Sequence, residues 1–293
     1  MKDKNKNESP VGFSVIKREF MKDKVALFSL FLLITLMLII FISAALLNRE
    51  EVMTVNLLDK FARPGEGFWL GADAGGRSIL GQLIIGARNS IVIGFTVTVI
   101  AQFVGITIGL IAGYYSGLID NIIMRIIDFI IILPRLMVII VFVTVISKYT
   151  IPKFIFILAA FTWLGTARLI RSKALSESRK EYIMASKTLG TRDIKIILYE
   201  LLPNISSIIL VDLTLTFAGN IGIETGLTFL GYGLPPSVPS LGTLISYARK
   251  PEIMSSKLWV WLPASLLILV LMLCINYIGQ ALKRASDAKQ RLG

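Results

Sequence analysis

Residues Val25–Leu47, VALFSLFLLITLMLIIFISAALL, run without a single charge. A helix of about 20 apolar residues matches the hydrocarbon thickness of a bilayer, and helical pairing satisfies its backbone there. Further apolar segments follow at Ser90–Tyr114, Phe154–Ile170, Ile205–Gly226 and Leu258–Gly279. Composition agrees: 55% of residues are hydrophobic and the mean hydropathy is +0.74, too apolar for a soluble domain of 293 residues. The expected fold class is an all-α polytopic membrane protein. The Lys-rich start does not read as a secretory signal, because the apolar run is too long, begins late and lacks an A-x-A-like exit.

Basic residues set the expected orientation. Lys2, Lys4, Lys6, Lys17, Arg18, Lys22 and Lys24 precede the first span, which puts residues 1–24 in the cytoplasm by the positive-inside rule. Residues 25–47 cross, and 48–89 form an extracytoplasmic segment. Ser90–Tyr114 returns, and Gly113–Asp120 (GYYSGLID) is expected to turn on the inner side. Asn121–Ser147 is interrupted by Pro134 and Arg135; it reads as an interfacial start, a kink, and a tilted crossing over about Ile130–Ser147. Arg125 and Asp128, three apart, are expected to pair. Arg135 near mid-span requires a wet or protein-lined interior. Lys148–Lys153 makes an outer turn before Phe154–Ile170. After Ile205–Gly226, Leu227–Lys257 is a second outer segment. Leu258–Gly279 closes the set, belted by Trp259 and Trp261, and residues 283–293 return to the cytoplasm. That makes six transmembrane helices with both termini inside. The net charge of +12 is thereby assigned to topology rather than to nucleic acid.

One stretch between spans does not belong in lipid. Residues 181–204, EYIMASKTLGTRDIKIILYELLPN, carry Lys187, Arg192, Asp193, Lys195 and Glu200. Ile183, Leu189, Ile194, Ile197, Leu198 and Leu201 recur at helical steps, Gly190 interrupts them and Pro203 ends them. Two short amphipathic helices joined at a glycine are expected, presenting an apolar stripe to a cytoplasmic partner. Elsewhere, Ala101, Gly105, Gly109 and Gly113 form a small-residue ridge on one helix face, expected to pack within the subunit.

Catalytic chemistry finds little support. Histidine is absent and Cys274 is the sole cysteine, which argues against a zinc site or a triad enzyme. Gly71-x4-Gly76-Arg77-Ser78 approaches a phosphate loop but lacks its lysine and its strand–helix context, so a glycine-rich turn leading into a helix is the better reading. Asp212, Asn220 and Glu224 on the fifth apolar segment are candidate residues of a translocation path. Asp212 lies deeper, and Glu224 is equally well read as a satisfied interfacial side chain. A stand-alone ion-coupled carrier is the alternative from a different class, and no matched inverted repeat supports it.

The insert resembles the EAA loop of binding-protein-dependent ABC importers, E-A-A-x3-G-x9-I-x-L-P. Met184-Ala185-Ser186 is followed after three residues by Gly190, and after nine more by Glu200-Leu201-Leu202-Pro203. Met184 stands where the glutamate is expected and Glu200 where the isoleucine is; Glu181, one turn before Met184, is placed to supply the missing charge. FWLGADAGGRSILGQLIIGAR and GLTFLGYGLPPSVPSLGTLIS resemble further segments of the dipeptide, oligopeptide and nickel permeases, with oligopeptide members nearest.

This resemblance implies a type I ABC importer permease fold, with the importer domain over 90–282 and the coupling loop at 181–204, in the bacterial plasma membrane. The cargo would be oligopeptides or dipeptides, with nickel or a metal chelate as the alternative. It implies a second related permease subunit sharing the path, two ATP-binding subunits and an extracytoplasmic substrate-binding protein. ATP and Mg would be bound by those partner ATPases; no cofactor, no metal and no catalytic residue is expected in this chain.

Overall fold

The computed structural model describes residues 13–145 and 150–292, with side chains over 17–145 and 150–287. The expectations placed on Lys2, Lys4, Lys6, Ser147 and Lys148, and on the side chains of 288–293 in the tail, lie outside those residues. The described chain is helical, with only isolated bridges at Pro64–Phe68 and Ala72–Ser78 and no strand.

Helix α1 (Phe13–Lys22) precedes α2 (Lys24–Leu46), whose start is capped by the Asp23 carboxylate on the Ala26 N–H. Short α3 (Arg49–Met53) leads through turns to α4 (Ile79–Tyr115). Ser78 caps α4 from Oγ to the Gly81 N–H, so this helix starts well before Ser90 and extends beyond the apolar run. Only Ser116 separates α4 from α5 (Gly117–Ile132), so the turn expected over Gly113–Asp120 contracts to one residue. Helix α6 (Arg135–Val145) meets α5 at a bend of 81°. Pro134 has no N–H to give and its ring crowds the preceding turn, so the single tilted crossing becomes a broken one. Helix α7 (Ile151–Glu177) is followed by α8 (Glu181–Thr188) and a one-turn α9 (Asp193–Lys195). A π-helical turn over Ile196–Leu201 runs directly into α10 (Leu202–Leu230). Helices α11 (Leu241–Ser246) and α12 (Pro251–Ser256) precede α13 (Leu258–Leu292).

Five helices are long and apolar enough to span a bilayer, six crossings if α5 and α6 count as one. The chain is a multi-pass membrane protein. Its tightest seam joins α4 to α7: an added Cβ at Gly105 would lie 2.7 Å from Thr166 Cβ, and one at Gly113 would lie 2.6 Å from Ala174 Cβ. The small-residue ridge therefore packs within the chain, and the close approach it permits is what builds the seam.

Two ends of the bundle are defined by contacts. At one, Arg284 donates to Asp23, Ser178 lies on Gly113, and the segment after α7 folds under α4. At the other, Arg49 donates to the Ser237 carbonyl and Asn89 to the Pro239 carbonyl, 2.8 Å away. Trp259 packs over Gly71 and, like Trp261, Phe61 and Leu70, lies half-buried against the core around Val260 and Ala264.

Ion pairing differs from the local expectation. Asp128 binds Arg168 across to α7 instead of Arg125, and Asp120 likewise binds Arg171. These bonds tie α5 to α7, which a neighbouring i, i+3 pair would not do. The glycine-rich Gly71–Ser78 turn wraps a carboxylate. Asp73, fully buried, accepts from the N–H groups of Gly75 and Arg77, from Arg77 Nε at 2.9 Å, Gln82 Nε2 at 3.0 Å and the Tyr247 hydroxyl at 2.9 Å. Burial alone would raise this carboxyl, but the hydrogen bonds and charge of Arg77, with Gln82, hold it below its ordinary value.

Candidate functional site: the projecting hairpin and the polar column

The 181–204 insert forms a helical hairpin at the end of the bundle that carries Asp23 and Arg284. Helix α8 stops at Leu189 in a Schellman arrangement: the Gly190 N–H reaches the Lys187 carbonyl at 3.0 Å and the Thr191 N–H reaches the Ser186 carbonyl at 3.1 Å. Gly190 takes φ of 78°, where a side chain is disfavoured and glycine is not. The chain then reverses into α9.

Half of the expected apolar stripe turns inward. Ile183, Ile197 and Leu201 are buried, joined by Ile196, against Leu110, Tyr114, Ile170 and Ala174. Leu189 is 84% exposed, Ile194 58% and Tyr199 76%, and Leu198 is exposed beside them. These residues leave an apolar tip on a hairpin otherwise clamped to α4 and α7. The clamps are polar: Tyr114 donates to Asp193 at 2.6 Å, and Lys187 Nζ sits 4.1 Å over the Tyr114 ring. Asn204 donates to the Tyr182 hydroxyl, which donates to Glu177, each at 2.9 Å. Burial and the Glu177 carboxylate push the Tyr182 phenol above its ordinary pKa.

Pro203 does not end the hairpin helix. The π turn before it lets the Leu202 N–H reach back to the Ile197 carbonyl, and the widened turn accommodates the proline ring within one helical run, Asp193–Leu230. Pro203 is exposed and Leu202 half-buried. Glu181, Met184 and Ala185 are exposed on α8. Ser186 donates to Glu200 Oε2 at 2.9 Å, so the acid at the isoleucine position is bound across the hairpin by the serine fourteen residues earlier. Sequence reasoning singled out both residues but not their contact; the signal lay in the two polar departures occurring together.

Inside the bundle, α10 carries polar groups at three levels. Asp212 Oδ2 accepts from Gln102 Nε2 at 2.6 Å and from Thr166 Oγ1 at 2.7 Å. It is half-buried and lines a cavity of about 230 Å³ with Lys173 and Lys283. Two turns on, buried Asn220 donates to Thr98 at 2.9 Å and lies 3.4 Å from Thr162 Oγ1. Arg135 Nη2 in turn donates to that Thr162 oxygen at 2.6 Å. Glu224 is fully buried; Thr228 donates to it at 3.0 Å and Thr225 at 3.3 Å, with Ser90 and Ser240 hydroxyls facing the same carboxylate. Asp212 therefore opens to a cavity, whereas Asn220 and Glu224 are held inside the subunit. Gln102, Thr166, Thr98 and Thr162 were not legible as site residues, since lone polar residues in apolar runs give no register.

A multi-span bundle with a buried polar column and a projecting, apolar-tipped hairpin defines a membrane permease component. The chain belongs to the family described as binding-protein-dependent transport system inner membrane component, which matches residues 105–291. It is 46% identical over 288 residues to the oligopeptide transport system permease protein OppC of Lactococcus lactis, covering 98% of each chain. It is 34% identical over 284 residues to OppC of Mycobacterium tuberculosis, covering 95% of each. With the oligopeptide permease AmiD of Streptococcus pneumoniae it shares 34% over 276 residues, 93% of this chain and 88% of the relative.

Proposed function

We propose that this chain is a permease subunit of an ATP-driven importer of oligopeptides, working as one half of a path shared with a second, related permease subunit. The observation that carries this reading is the 181–204 hairpin. Its inner face is locked to α4 and α7, and its tip exposes Leu189, Ile194, Leu198 and Tyr199. An apolar tip on a rigid lever suits a docking contact that must transmit movement, and the chain itself holds no phosphate loop. The relatives' names supply the cargo class.

In this reading the hairpin end faces the cytoplasm and receives one of two separate ATP-binding subunits, which bind ATP and Mg. Both termini lie on that side, supported by the Asp23–Arg284 contact between the start of α2 and the end of α13. Residues 48–89 and Leu227–Lys257 face outward and meet a substrate-binding protein. Closure of the ATPase pair moves the two hairpins, and the helices that bear Asp212 and the cavity beside it change their spacing across the path. The Ser186–Glu200 bond keeps α8 and α10 moving as one piece.

Leu189→Asp together with Ile194→Asp tests the docking contact. The doubly substituted chain is expected in the membrane at wild-type level, with ATPase recovery in a pull-down reduced at least roughly tenfold, since charge at the core of an apolar contact costs more than 1.4 kcal/mol. Undiminished ATPase recovery contradicts the assignment.

A further inference from the structure

Arg135 is the cation that begins α6. It sits at the break between α5 and α6, in a pair of helices that together pass for a span. Its Nη2 donates to Thr162, yet its Nε is buried without a hydrogen-bond partner. Asp128 and Asp120, the acids of the preceding helix, are already engaged by Arg168 and Arg171. No carboxylate pairs with Arg135 among the described residues. A guanidinium in an apolar span without a counter-charge is costly, and such residues mark paths for charged cargo.

The surroundings are a cavity rather than packed side chains. A space of about 250 Å³ is lined by Leu133, Arg135, Val138, Phe161, Thr162 and Leu164, among others. Its wall is polar at Arg135 and Thr162 and apolar elsewhere. Because α6 begins at Arg135, the first-turn amides of that helix have no acceptor within it, and their dipoles add to the positive potential there. Thr162 also lies beside the Asn220–Thr98 pair, so the guanidinium is tied to the Asn220 level of the polar groups on α10.

From this geometry we infer that Arg135 is a binding residue for a carboxylate of the transported peptide, taken up at the α5–α6 break with the terminal side chain against Val138, Phe161 and Leu164. The inference rests on the oligopeptide-importer reading and deepens it. The planar guanidinium suits a carboxylate, and the Thr162 bond fixes its orientation at the cavity wall. An acid from the second permease subunit would satisfy the same charge. Such a fixed pair is the competing assignment, and recovery of the second permease subunit with the Arg135 variants separates the two.

The test uses the complete complex with its binding protein in proteoliposomes, supplied with ATP and with a tetrapeptide as free acid or as C-terminal amide, each at saturating binding-protein occupancy. Wild type is expected to take up the acid faster than the amide. R135Q should lower the acid-to-amide ratio about tenfold, mainly through loss of acid uptake, the size expected for one charge-assisted contact. R135K, which keeps the charge without the fork, should lower it by a smaller factor and decides the matter if R135Q fails to assemble. A wild-type ratio of one, or an unchanged ratio in the assembled variants, overturns the inference while leaving peptide import standing. Equal loss of both substrates together with reduced recovery of the second permease subunit also overturns it, and assigns Arg135 to the subunit contact. If the wild-type complex moves neither peptide, the importer reading fails and the site falls with it.

Discussion

At the scale of single residues, the molecule separates charges that hold the fold from charges left with work to do. Asp73 belongs to the first group: five donors from Gly75, Arg77, Gln82 and Tyr247 saturate it, and they join the turn before α4 to the segment after α11. Asp73→Asn removes the charge opposite Arg77 and is expected to destabilise the protein by about 3 kcal/mol at neutral pH, the cost of leaving one partner of a buried pair. A carboxyl held below its ordinary pKa contributes stability above about pH 4, and loses it as pH falls toward the folded value. Thermal unfolding in detergent should therefore show the gap between wild type and Asp73→Asn narrowing below about pH 4. A gap that stays constant from neutral pH to pH 3 would count against this account. The importance of Asp73 was not visible beforehand, because its partners Gln82 and Tyr247 are brought to it by tertiary folding. By contrast, the polarity of Asp212 was legible: an acid in an apolar run demands partners, although Gln102 and Thr166 could not be named without the structure.

At the scale of elements, glycine and proline behave differently from each other as punctuation. Gly190 was readable as a helix break, and the Schellman turn at φ of 78° is the physical form of that break. Pro203 was misread as a stop, because a π turn immediately before it lets the helix continue. Pro134 was read as a kink in a single crossing and proves to be a bend of 81°. Asp120 and Asp128 fasten α5 to α7 on the near side of that bend, contacts that the expected local pairing of Asp128 with Arg125 did not show. The hairpin's rigidity gives a prediction at this scale. Gly190→Val places a β-branched residue at positive φ, where nothing within 4 Å obstructs the side chain but the backbone is strained. The strain, of order 1–3 kcal/mol, should displace the tip without unfolding the bundle. We expect normal membrane levels with peptide-stimulated ATP hydrolysis reduced severalfold. Full stimulation by this variant would remove the hairpin from the coupling route.

At the scale of the whole molecule, the multi-span arrangement was legible because hydrophobic length is a property of each segment alone; five of the six expected crossings are single long helices and the sixth is the bent α5–α6 pair. The seam between α4 and α7 was half-legible: the four-residue spacing of Ala101, Gly105, Gly109 and Gly113 announced a close approach, but only the fold supplies α7 as its partner. The assembled chain joins a broken span bearing Arg135, polar groups at three levels of α10, and a hairpin that ties that helix to an exposed apolar tip. In the proposed reading, that hairpin is where movement of a separate ATP-binding subunit enters the helix that bears Asp212. The central claim is tested most directly by peptide uptake into proteoliposomes. The complete complex of this chain, its sister permease, the ATP-binding subunits and the binding protein should accumulate a labelled oligopeptide only with ATP. This chain reconstituted alone should accumulate none; ATP-independent accumulation by the lone chain, or none by the complete complex, would contradict the account.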